Sequence, residues 1–173
     1  MPAPAPAQQP AAAEPTELAT RTPDAVADSV PRFFAPDQFA ALRRLGEILM
    51  PAATNRPGAT ETGVAEFLDF LLRESDGGRQ ELYRRGLDAL NQRARQQYQK
   101  PFAGISAAEA EPILAALREP WSYSGPADPF ARFLTAARED VFQATVSARE
   151  WVEAAAGRRR GASGMSYYWR SQD

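Results

Sequence analysis

Residues 48–72 read ILMPAATNRPGATETGVAEFLDFLL. An apolar helix end, a loop of small and hydroxyl residues, and a second apolar run follow one another. Pro51 stops the first helix, because it has no N–H to donate and its ring clashes with the preceding turn. Gly58 permits a turn, and Thr60 or Thr62 can cap the N–H groups that open the next helix. As a phosphate cradle the loop lacks the pattern: Gly58 and Gly63 stand apart and no Gly-Lys-Ser/Thr follows. The stretch therefore predicts two helices joined at an angle, with Pro51, Gly58, Thr62 and Gly63 as turn and cap residues.

Helical spacing continues on both sides. Residues 35–51, APDQFAALRRLGEILMP, place Pro36 at a first helical position with Asp37 just inside. Phe39, Leu42, Leu45 and Leu49 form one stripe with Ile48 beside it. Downstream, Val64, Phe67, Leu68, Leu71 and Leu72 predict a wide, well-buried face, and Gly77 and Gly78 then break the chain. A third helix is predicted from about residue 79 to 99, with Leu82, Leu87, Leu90, Ala94 and Tyr98 as a thinner stripe. Ser106 followed by Glu109 is a capping box, and it opens a short fourth helix that buries Ile113, Leu114 and Leu117. Asp128-Pro129 starts a fifth, with Phe130, Phe133, Leu134, Ala137, Val141 and Phe142 on one face. Its pattern continues weakly through Val146, Trp151 and Val152 to Gly157. Sustained period-2 alternation is absent, so the expected fold class is all-α, a single bundle of about five helices over residues 32–156.

The flanks differ in composition. Residues 1–31 are rich in Pro and Ala and poor in large apolar residues, which predicts a disordered leader. They lack a basic start followed by an apolar run, so they are not an intact signal peptide. Residues 157–173 read as an irregular tail, with Arg158, Arg159 and Arg160 ahead of Tyr167, Tyr168 and Trp169.

The 173-residue chain has no cysteine and no histidine. That excludes disulfides, thiolate metal sites and thiol nucleophiles. It also removes the commonest general base and transition-metal ligand. The charge balance of 20 Lys+Arg against 22 Asp+Glu gives no basic footprint for nucleic acid. No run approaches the roughly 20 apolar residues of a membrane span. Glu66 with Asp69, and Glu139 with Asp140, would need to face each other across a cleft to act as a catalytic pair. At these spacings they read as solvated helix faces. No catalytic, cofactor-binding or metal-ligating residue is therefore assigned. Large rings outside the helices mark candidate contacts: Trp121 and Tyr123 in the loop at 120–129, and Tyr167, Tyr168 and Trp169 in the tail. Those tail rings either dock on a partner or fold back on their own domain.

The order of these motifs resembles the gluconate 2-dehydrogenase subunit 3 family. The stretches that carry it are FFAPDQFAALRRLGEILMPA, RPGATETGVAEFLDFLL and GLDALNQRARQQYQKPFAGISAAEAEPILAAL, including the turn at Lys100, Pro101 and Phe102. The likeness covers about residues 33–117 closely and 128–142 loosely. It implies a small, non-catalytic helical subunit that binds and stabilises the large subunit of a flavin-dependent sugar or alcohol dehydrogenase. FAD is then expected in that partner and no cofactor in this chain. A cytochrome c subunit often completes such complexes. The resemblance also implies export assistance and a periplasmic or periplasm-facing location. Two departures bear on this: no twin-arginine signal precedes the leader, and the chain differs after Phe142. The alternatives are a stand-alone helical adaptor that has lost the dehydrogenase and, for location, the cytoplasm.

Overall fold

The computed structural model describes residues 32–119 and residues 125–162, with side chains to residue 156. Helix α1, Pro36–Leu49, starts with Pro36 in its first turn. Gln38 Oε1 accepts the Ala35 N–H at 3.2 Å, satisfying a donor at the helix entrance. Helix α2 is Val64–Arg73 and helix α3 is Gly77–Tyr98. A 3-10 turn at Phe102–Gly104 leads into α4, Ala107–Ala110, and a second 3-10 turn spans Ala115–Arg118. Helices α5, Pro129–Ser147, and α6, Arg149–Ala162, follow. Among the described residues there is no strand, only the single bridge between Ala53 and Arg56. The fold is all-α.

Helix α3 opens two residues earlier than its composition suggests. The Asp76 carboxylate accepts the Arg79 N–H at 3.0 Å, so Gly77 and Gly78 sit in a capped first turn instead of breaking the chain. The predicted fourth helix is only one turn of α-helix, followed by turns. Ile113 and Leu114 are nevertheless buried. The predicted long fifth helix is two: Ala148 adopts an extended backbone between α5 and α6, with no proline or glycine to announce it. Helix α6 then continues through Gly157 to Ala162.

The core lies where α3 meets α5, with α1 and α2 packed alongside. Leu42, Leu45, Leu68, Leu72, Leu87, Leu90 and Leu134 are almost wholly removed from water, each stabilising the fold by about 1.5–3 kcal/mol. The inward stripe of α3 is Tyr83, Gly86, Leu87, Leu90, Asn91 and Ala94. Leu82 and Tyr98, expected on that stripe, are only partly buried. Gly86 lets the two helices approach: a Cβ there would fall inside the Phe133 ring. Phe133 stacks edge-on against Tyr83, with ring centroids 5.5 Å apart.

Two aromatic expectations fail. Phe67 is 50% exposed and Phe142 is 46% exposed. Each lies about 100° around its helix from a core residue, Phe67 from Leu68 and Phe142 from Val141, which turns its ring away from the core.

Candidate functional site

The loop between α1 and α2 is closed by hydrogen bonds among its own backbone groups. Ala53 and Arg56 exchange reciprocal backbone bonds of 2.9 Å, and the Ala59 N–H reaches Met50 O at 2.8 Å. Gly58 lies under the start of the loop, where a Cβ would collide with Met50 O, the Pro51 carbonyl carbon and Ala52 N. No other residue fits that approach. The Gly58 N–H donates to Glu61 Oε2 at 2.9 Å. The Thr62 hydroxyl donates backwards to Gly58 O at 2.9 Å and Ala59 O at 3.3 Å. Thr62 thus closes the turn and does not cap α2. The N-cap is Gly63, which has no side chain and a left-handed φ of 65°. Pro51 follows the C-terminal end of α1, which closes through Met50 N–H to Gly46 O at 2.9 Å. At α4, Ser106 Oγ accepts the Glu109 N–H at 3.2 Å and Glu109 Oε2 accepts the Ser106 N–H at 2.7 Å, a reciprocal capping box. The backbone N–H of Ser106 holds the Glu109 carboxyl below the usual carboxylate range.

The carboxylates divide in a way that spacing did not disclose. Glu66 and Glu139 are exposed, as solvated faces should be. Asp69 is 6% exposed and accepts the N–H groups of Phe33 and Phe34 at 3.0 and 2.9 Å, so it tethers the entering chain to α2. Asp140 joins α5 to α3: its Oδ2 accepts Arg79 Nη2 at 2.7 Å and also the Tyr83 hydroxyl. Burial, reinforced by the Asp140 carboxylate, pushes the Tyr83 phenol well above its ordinary range. The hydrogen bond that Arg79 donates to Asp140 raises Arg79 as well. The solvated reading is therefore corrected for Asp69 and Asp140, which hold the fold together.

Sequence periodicity also missed two polar residues inside α3, Tyr83 and Asn91. Asn91 Nδ2 donates to Asp37 O at 3.1 Å and its Oδ1 accepts the Phe102 N–H at 3.1 Å, tying α1 to the turn after α3. The available signal was register: residues 83, 87, 90, 91 and 94 share one helical face. Arg44 supports the same end of the bundle, donating Nε and Nη2 to Ile105 O at 3.1 and 2.8 Å.

The outer side of α2 is different. Phe70 is 59% exposed beside the half-exposed Phe67. Phe67 borders a groove of about 440 Å³ between α2 and α5. Val64, Phe67, Leu68, Leu71, Ala144 and Ala148 supply its apolar surface, while Thr62, Asp140, Gln143, Ser147 and Glu150 supply its polar edge. Among the described residues no lysine or arginine lines it. Trp121, Tyr123, Tyr167, Tyr168 and Trp169, the rings singled out for partner contact, lie outside the described residues. Among the described residues no group of three or more His, Cys, Asp or Glu could hold a metal ion. None of their helices is long and apolar enough to cross a membrane.

What these residues define is a helical scaffold: its buried polar groups serve its own backbone, and an apolar groove opens on its surface. The chain belongs to the gluconate 2-dehydrogenase subunit 3 family, whose model matches residues 36–157, from the first residue of α1 into α6. The match runs past Phe142, beyond the stretches that carry the resemblance in the sequence. By its name the family is a subunit of the gluconate 2-dehydrogenase complex. No curated protein and no solved structure matches the chain.

Proposed function

We propose that this chain is a non-catalytic accessory subunit that binds and stabilises the FAD-containing large subunit of a flavin-dependent sugar or alcohol dehydrogenase. It assists export of that subunit towards the periplasm, where a cytochrome c subunit takes the electrons. The observation that carries the reading is the family match across residues 36–157. The composition agrees with it: a chain without histidine or cysteine lacks the commonest general base and the commonest transition-metal ligands. Half-exposed phenylalanines beside an apolar groove agree as well, since contiguous apolar surface marks contact sites.

The test is expression of a flavin-dependent dehydrogenase encoded beside this chain with and without it, followed by fractionation and assay of soluble, flavin-loaded enzyme. A genome with no such gene nearby would count for a free-standing adaptor. The reading expects the yield of loaded dehydrogenase to fall when the chain is omitted, and its periplasmic share to fall with it. Unchanged yield and location, with this chain recovered alone, would overturn the proposal in favour of a free-standing adaptor. Substrate oxidation by the purified chain alone would overturn its non-catalytic part.

A further inference from the structure

Seven of the ten residues of α2 are apolar, and only Glu66, Asp69 and Arg73 are charged. The core takes Val64, Ala65, Leu68 and Leu72, and Asp69 is occupied by the entering chain. Phe67, Phe70 and Leu71 remain: Phe67 and Phe70 are 50% and 59% exposed, Phe67 and Leu71 line the groove against α5, and Phe70 extends the apolar surface one turn beyond Phe67. A helix that is apolar on both its inner and outer sides packs against something on each. We infer that the α2–α5 groove is the docking site for an apolar segment of the dehydrogenase subunit flanked by lysine or arginine. This rests on the function proposed above and adds to it the surface and the chemistry of the partner.

Charge selects the occupant. Among the described residues the groove presents two carboxylates, Asp140 and Glu150, and no cation. Asp140 already serves Arg79 and Tyr83 through Oδ2, which leaves Glu150 as the exposed carboxylate at the rim. Glu66, also exposed, lies beside Phe67 on the outer turn of α2. A second copy packed symmetrically through this face would set acid against acid, a like-charge arrangement that costs affinity. A segment with apolar side chains for the floor and a cation for the rim meets both surfaces. Aromatic anchors such as Phe67 and Phe70 then carry a disproportionate share of the binding.

The experiment uses the full chain and the purified large subunit, with affinity measured by calorimetry or interferometry. Phe67→Ser with Phe70→Ser should lower affinity at least about tenfold while leaving helicity and melting unchanged, because both rings are half outside the core. Ser147→Trp, which fills the groove from an exposed position, should give the same loss if the double variant folds poorly. Glu150→Arg should weaken binding several-fold and flatten its salt dependence. Phe142→Ser, on the other flank of α5, should leave affinity unchanged. Full affinity in the groove variants would overturn this inference and leave the proposed function standing. Failure of the wild-type chain to bind would overturn both. Two further results would overturn it by naming another occupant. One is a wild-type dimer that Phe67→Ser dissolves, which makes it a second copy. The other is a tenfold gain in affinity on removing residues 163–173, which makes it the chain's own aromatic end.

Discussion

Gly86 of α3 and Phe133 of α5 occupy one contact: the ring lies in the space that any side chain at position 86 would need. Phe133 cannot retreat easily, because Tyr83 holds it edge-on at 5.5 Å and Phe130 lies at 6.2 Å. Gly86→Ala gains roughly 1 kcal/mol of helix propensity. Overpacking costs more, so we expect a net loss of about 2 kcal/mol. Urea denaturation checks the sign. Pairing Gly86→Ala with Phe133→Leu should recover part of the loss, giving a coupling energy of opposite sign to the single effects.

Tyr83 and Asp140 predict an alkaline limit to stability. The folded phenol holds its proton far above the ordinary value of 10.0, while an unfolded tyrosine ionises near it. The contribution is therefore complete below about pH 10 and is lost as pH rises towards the folded value. The limiting slope is about 1.4 kcal/mol per pH unit for one proton. Tyr83→Phe should cost about 1–2 kcal/mol at neutral pH through the lost hydrogen bond. It should also flatten the decline at alkaline pH, as denaturation series at about pH 8 and about pH 11 would show.

Asp69 holds two backbone N–H groups, and removing it strands both. Asp69→Ala should destabilise the fold by roughly 2 kcal/mol. Amide exchange at Phe33 and Phe34 should accelerate well beyond that of Leu87 or Leu90 in the core. Asp69→Asn keeps one acceptor oxygen and turns the other group into a donor, so exchange should accelerate chiefly at one of the two amides. Equal protection in the wild type and both variants would contradict this tether.

At α4 the capping box makes an acid-side prediction. The Glu109 carboxyl titrates below its usual range because the Ser106 N–H holds the anion. Its contribution is present above the ordinary carboxylate range and is lost as pH falls through the depressed value. Glu109→Ala should therefore flatten the acid limb of the stability profile. Ser106→Ala should cost about 1 kcal/mol at neutral pH.

The scaffold was legible where periodicity and punctuation agree. Pro36 and Pro51 bracket α1, Asp128-Pro129 opens α5, and Leu42, Leu68, Leu87 and Leu134 fall on inward stripes by spacing alone. Less was legible where a polar residue does core work. Tyr83, Asn91, Asp69 and Asp140 read as surface by type, and only their distant partners Asp140, Phe102, Phe33 and Arg79 make their burial tolerable. The exposure of Phe67 was hidden for the opposite reason. Its residue type predicts burial, and composition does not tell a ring that faces the chain's own core from one beside an open groove. The break at Ala148 has no proline or glycine to mark it.

The account stands or falls on whether this chain holds a flavoprotein. A tag on the full chain, co-expressed with a candidate flavin-dependent dehydrogenase large subunit and purified through that tag, should bring down the large subunit in fixed stoichiometry. The complex should show flavin absorbance in the visible range and a single sedimenting species. Recovery of this chain alone, colourless, with the dehydrogenase active and undiminished in the flow-through, would contradict it.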